Sequence, residues 1–119
     1  QHLDTAGMSL AGDPPTASIL AAADRCRHFH VSAPFLAEIS GEAVPHREFA
    51  QGVREANYQG WLSIEMSEAK ETGAWPTAVE RSLAFVRAAY GLDVKSGQIA
   101  VAPRQDMGGP NVHTTRHCA

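Results

Sequence analysis

The chain has 119 residues and a net charge of −3 at neutral pH, with 13 acidic and 10 basic side chains and six histidines. That balance gives no general attraction to nucleic acid or to an anionic membrane surface, and no apolar run reaches the ~18 residues of a spanning helix. Two cysteines, Cys26 and Cys118, do not make a disulfide framework, so the expectation is one small domain in a reducing, cytoplasmic setting.

The first residue is Gln1, and the chain opens almost inside a strand. The expectation is that an N-terminal part precedes it. Residues 2–5 read as a short strand in which His2 and Asp4 flank Leu3 and so share a face. Residues 6–12 read as a loop. Asp13-Pro14 is a helix start, with Asp as the cap and Pro at the first helical position. That helix runs to about Arg27, with Ile19, Leu20, Ala23 and Cys26 on one stripe. Cys26 is expected there as a small buried residue, not a reactive thiol.

The second strand is His28-Phe29-His30-Val31-Ser32. Alternation puts the two imidazoles on one face and Phe29 with Val31 on the other. A loop over 33–44 leads to Pro45, which opens a helix to about Asn57 with Phe49, Val53 and Ala56 at helical spacing. Gly52 inside it weakens the helical signal. A turn at Tyr58-Gln59-Gly60 feeds the third strand, 61–66, where Ser63 and Glu65 face opposite to Leu62, Ile64 and Met66. After a polar loop, Pro76 opens the strongest helical pattern, Val79, Leu83, Val86 and Tyr90, stopped by Gly91. Trp61 and Trp75 are candidates to line a substrate mouth. From Lys95 on, Pro103, Gly108, Gly109 and Pro110 break any regular element. His113, His117 and Cys118 lie there without a helical context, so 95–119 is expected as a flexible tail.

Strand and helix alternate three times, which implies a parallel sheet with right-handed crossovers. Strands in the middle of an open doubly wound sheet read as continuous apolar runs. These alternate instead, which fits a barrel whose inner face leads to a site at its C-terminal mouth. Near that end each strand offers one ligand: Asp4, His30 and Glu65. Two carboxylates and an imidazole from three strands suit a divalent metal. A (β/α)8 barrel takes about 250 residues, so three units are part of one.

Leu3-Asp4-Thr5, His28-Phe29-His30-Val31-Ser32, Asn57-Tyr58-Gln59-Gly60-Trp61-Leu62-Ser63-Ile64-Glu65 and the helix at Arg81-Ser82-Leu83-Ala84-Phe85-Val86-Arg87 carry a resemblance. They resemble the C-terminal part of the sugar phosphate isomerase/epimerase family of xylose isomerase-like TIM-barrel fold, most nearly its ketose 3-epimerase-type members. The resemblance implies that 1–94 are the last three βα units of the barrel, strands six to eight, with the N-terminal part missing. It implies a Mn²⁺ or Mg²⁺ ion held by two Glu, one Asp and one His. Asp4, His30 and Glu65 match three of these, and the first Glu falls upstream of Gln1. Gly7 and Leu36 stand where those members often carry a His and a substrate-binding Arg.

The function this implies is a metal-dependent sugar or sugar phosphate isomerase or epimerase, carried here as a C-terminal segment. A proton moves at a carbon next to a carbonyl through an enediolate, with the metal as Lewis acid and Glu65 as both ligand and acid/base. His28 is expected deeper on the same face, supporting His30 or filling the barrel. The expected partner is a sugar-like small molecule, with no nucleic acid and no membrane, and the intact protein is a candidate homo-oligomer. The alternatives are a non-catalytic or inactive fragment of the same fold, or an abasic-site endonuclease-like metal hydrolase.

Overall fold

The structure is a computed structural model that describes residues 1–68 and 74–91, with the backbone alone of 97–102 and 114–118. Its centre is the parallel set β1 (His2–Asp4), β2 (His28–Ser32) and β3 (Trp61–Glu65), adjacent in the order of the sequence. The register aligns Leu3 with Phe29 and Leu62, and Val31 with Ile64. These residues form the sheet face that the sequence marks as apolar. Phe29, Val31, Leu62 and Ile64 are buried there with Phe49, Ile39, Met66 and Val86. The opposite face carries the polar alternates, as expected from the period of two.

A short helix, α1 (Thr5–Ala11), replaces the loop expected over 6–12. Asp4 caps it by accepting from the Gly7 amide at 2.6 Å, and Gly12 closes it with φ 76°. Ala6 and Met8 are buried, which offsets the weak helix propensity of Gly7 and Ser9. The next helix, α2 (Pro15–Ala22), is shorter than the 13–27 span read from the sequence. Asp13 is not its cap: Pro14 holds that place without a side-chain bond, and the Asp13 amide donates to Met8. The amides of Arg25 and Cys26 both donate to the Ala22 carbonyl, which tightens the chain into a turn. The Arg27 amide then donates to Gln1, starting the sheet ladder. Cys26 is buried as expected, with its thiol on the His28 carbonyl at 3.3 Å, while Leu20 on the predicted stripe is 44% exposed.

α3 (His46–Glu55) and α4 (Trp75–Tyr90) follow β2 and β3 closely to prediction, and Gly91 ends α4 in the left-handed region. Trp75 is half-buried and packs against the core at the start of α4. The buried stripe of α4 is Ala78, Ser82, Val86 and Tyr90, turned slightly from the predicted one. Small residues at 78 and 82 let the loop after β2 approach. The Ile39 amide donates to Ser82 Oγ at 3.0 Å, and Arg81 grips Glu38 through two bonds of 2.6 and 2.7 Å.

Two glycines explain themselves only in three dimensions. A Cβ on Gly52 would lie 2.9 Å from Ile19 Cδ1 and 3.0 Å from Thr16 Cα, so this glycine sets how closely α2 and α3 pack. Gly52→Ala is therefore expected to destabilise by about 1–3 kcal/mol through overpacking, although alanine is the better helix former. Urea unfolding of the two proteins measures it, and a stabilised variant would exclude the close approach. In the Tyr-x-Gly turn, the Tyr58 ring lies across Gly60 and donates its hydroxyl to the Trp61 carbonyl at 2.9 Å. Any Cβ at 60 would collide with that hydroxyl, so the motif is a tyrosine latch over a bare backbone.

The segment expected as a tail differs in part. β4 (Gly97–Ala102) pairs parallel with β3, and β5 (Thr114–Cys118) pairs antiparallel with β4, giving the order β1-β2-β3-β4-β5. The physical reason is the open edge of β3, whose unpaired N–H and C=O groups offer a ladder to Gly97-Gln98-Ile99-Ala100-Val101-Ala102, a run with alternating branched residues. His113 and the side chains of His117 and Cys118 lie outside the described residues. Among the described residues, no helix is long and apolar enough to cross a membrane. The molecule is thus a mixed α/β structure centred on the parallel strands β1, β2 and β3.

Candidate metal centre

The polar face of the sheet carries His2 and Asp4 on β1, His28, His30 and Ser32 on β2, and Ser63 and Glu65 on β3. Asp4 pairs in register with His30, while Glu65 stands opposite Ser32, one side-chain pair nearer the C-terminal edge. Even so, Asp4, His30 and Glu65 each bring one ligand atom within 4.8 Å of the others, and all three are half-buried. Among the described residues this is the one group of three or more His, Cys, Asp or Glu side chains close enough to share a cation. It is the set that the sequence singled out.

His30 Nδ1 lies 3.1 Å from Glu65 Oε2. That bond lowers the Glu65 carboxyl pKa and raises the His30 imidazole pKa, against the opposing effect of burial on both. The charges of His30, His2 and His28 lower Glu65 further. Glu65 is thus an anion at neutral pH. His28 behaves oppositely. Burial lowers its pKa, and the neighbouring His30 and His2 charges add to the shift. Its Nε2 meets Ser63 Oγ, and its ring stands edge-on to His30 at 4.7 Å, while His2 stacks tilted on His30 at 5.1 Å. His28 therefore braces His30 instead of joining the ligand group.

Asp4 is held twice. Its Oδ1 accepts from the Gly7 amide at 2.6 Å, and its Oδ2 accepts from the Ser32 hydroxyl at 2.6 Å. Ser32 in turn accepts from the Ala6 amide at 3.2 Å, and the Thr5 hydroxyl bridges the Ser32 backbone, receiving its N–H at 2.9 Å and donating to its carbonyl at 3.0 Å. Thr5 and Ser32 are fully buried. They fix the end of β1 against the end of β2, and so fix Asp4 beside His30. Sequence reasoning did not give Thr5 and Ser32 this role. The signal that could have found them is a hydroxyl residue directly after one ligand and another two residues after the next.

The donor set fits a hard divalent cation. Two carboxylates and one imidazole are the ligand chemistry of Mn²⁺ or Mg²⁺ more than of a thiolate-rich structural zinc site. The His30–Glu65 separation is close to the roughly 3 Å between neighbouring ligands placed about 2.1 Å from an octahedral ion. A carboxylate has about four lone-pair directions, so Asp4 keeps acceptor capacity beyond its two hydrogen bonds. No family model, no curated protein and no solved structure matches this chain.

Proposed function

We propose that the chain is the C-terminal part of a (β/α)8 barrel of xylose isomerase-like type, and that its polar strand ends hold a divalent metal for proton transfer next to a carbonyl on a sugar or sugar phosphate. The observation that carries this reading is the convergence of Asp4, His30 and Glu65 donor atoms within 4.8 Å at one end of three parallel strands. The sheet supports it too. Its apolar face is buried under helices, while His30 and Glu65 on the other face keep 22% and 32% of their side-chain surface exposed, as an inner barrel face at its mouth would.

When bound, the ion would supply Lewis-acid polarisation of the substrate carbonyl. The protein's own part is positional and basic. Asp4, His30 and Glu65 form the cradle, Ser32 and Thr5 hold Asp4, and His28 with Ser63 fixes the His30 ring. Glu65, kept ionised by His30, is the base that takes the proton from the adjacent carbon onto a carboxylate oxygen. Mn²⁺ or Mg²⁺ is the expected ion and a sugar-like molecule the substrate, and the intact protein is a candidate homo-oligomer.

Deuterium uptake tests this. The Mn²⁺-loaded chain in D₂O with a ketohexose is expected to exchange the proton beside the carbonyl, followed by NMR, and Glu65→Gln is expected to abolish the exchange. A folded, Mn²⁺-bound chain with no exchange would count against proton transfer. The second reading, a fold that retains the site without the chemistry, has its own observation. Both Asp4 oxygens are already engaged as a helix cap and a serine acceptor.

A further inference from the structure

The turn after β2 has a backbone that its side chains do not favour. Phe35 has φ 60° and ψ 22°, and Leu36 has φ 58°. Both lie in the left-handed region, where a Cβ crowds the following carbonyl oxygen. Glycine or asparagine would relieve this, and neither is present. Core packing does not account for Phe35, because 82% of it is exposed. The backbone is nevertheless pinned. The Leu36 amide donates to Ala33 at 3.0 Å, and the Leu36 carbonyl accepts from the Ser67 amide at 2.7 Å.

The place of this turn gives the strain a meaning. Phe35 is three residues past Ser32, the partner of Asp4, which is at most about 11 Å of extended chain. Leu36 is tied to Ser67, two residues past Glu65. The turn also packs against α1, which begins directly after Asp4. The backbone of the turn that carries the exposed Phe35 thus adjoins all three ligand-bearing strand ends. Backbone strain and apolar exposure held together at a site edge mark a group kept for contact with a ligand.

We propose that Phe35 is a substrate-contacting residue, an apolar platform at the mouth of the Asp4–His30–Glu65 cluster for the C–H face of a sugar or polyol. This rests on the metal-site reading above. A sugar bound through its oxygens to one side presents polarised C–H groups on the other, and the negative face of an aromatic ring attracts them. A ring with two torsions on a pinned backbone loses little freedom on binding.

The test uses the full chain and two probes, D-fructose and hydroxyacetone. Both carry an α-hydroxy ketone, and only fructose has an extended C–H face. Water-proton relaxation of the Mn²⁺-loaded chain reads ion binding first and probe binding second. Phe35→Ala is expected to weaken fructose about three- to tenfold and to leave Mn²⁺ and hydroxyacetone unchanged, while Phe35→Tyr retains fructose affinity. Phe35→Gly is expected to lose fructose affinity to the same degree without lowering the thermal midpoint, because it also relieves the backbone. A structural anchor would lower the midpoint instead. Equal weakening of both probes, or no fructose binding by the Mn²⁺-loaded parent, overturns the proposal. So does a shift of a dimer to monomer in Phe35→Ala by sedimentation with fructose affinity unchanged, which would assign the ring to a second copy. Failure of the parent to bind Mn²⁺ is seen before any sugar is added, and overturns the metal reading beneath the proposal as well.

Discussion

Glu65→Gln is expected to weaken Mn²⁺ binding by at least about 100-fold, and His30→Ala by a similar factor. Loss of a supporting hydrogen bond alone costs about 10–100-fold at such sites, and removing a ligand costs more. Isothermal calorimetry of the folded chain reads it, with one ion per chain expected for the parent. Asp4→Asn separates the two roles of that residue. Asparagine caps a helix about as well as aspartate, so α1 should survive while the ion loses a charged ligand. Ser32→Ala, which frees Asp4 Oδ2, is expected to cost about tenfold. Retained affinity in both Glu65→Gln and His30→Ala would place the ion elsewhere. Affinity should also rise as the pH climbs above the ordinary imidazole range, because the ion needs an unprotonated imidazole and the hydrogen bond to Glu65 raises the pKa of His30.

Acid should unfold the protein through a residue outside that ligand group. His46, at the start of α3, is 1% exposed, and burial pushes its pKa down to about 4. Its Nδ1 meets the Tyr90 hydroxyl at 3.1 Å, and its Nε2 has no partner among the described residues. In the unfolded chain the same imidazole titrates near 6.5. The folded state therefore holds it neutral while the unfolded state takes up a proton. Its contribution to stability is complete above about pH 6.5 and falls away as the pH drops toward 4. A difference of that size corresponds to about 3 kcal/mol, a large share of the 5–15 kcal/mol typical of a domain. The thermal midpoint should fall by on the order of 10–20 °C between pH 7 and pH 4. His46→Phe removes the titration and leaves Tyr90 unpaired at every pH, so its stability should be lower at pH 7 but flatter with acid. Parallel pH profiles for parent and variant would exclude His46 as the source.

Tyr90 illustrates how a residue read only for its place on a helical stripe gains a second role in the fold. Its spacing from Val79, Leu83 and Val86 was enough to bury it, while its hydroxyl meets a histidine forty-four positions earlier. Gly52 is similar. In the sequence it only weakens a helix, whereas in the structure it is the point where α2 and α3 touch. The helix over 5–11 was missed because its cap, Asp4, reads equally well as a strand-end ligand, and because a seven-residue helix with Gly7 and Ser9 has little propensity of its own. The strands at 97–102 and 114–118 were missed because pairing with the edge of β3 is a long-range event that glycines and prolines nearby disguise.

The sequence by itself determined the alternation of the three strands. A period of two needs no partner to be legible, and it placed Asp4, His30 and Glu65 on one face and Phe29, Val31, Leu62 and Ile64 on the other. It also determined the helices at α3 and α4 and the stop at Gly91, since these follow from local spacing and backbone freedom. Only the tertiary structure decided how the ligands meet. The parallel register offsets Glu65 from His30 by one pair, so the imidazole must reach along the strand to it, and Thr5 and Ser32 lock the ends that make this reach short. The left-handed backbone at Phe35 was likewise decided there. No local preference of phenylalanine favours it, and the bonds to Ala33 and Ser67 hold it in place.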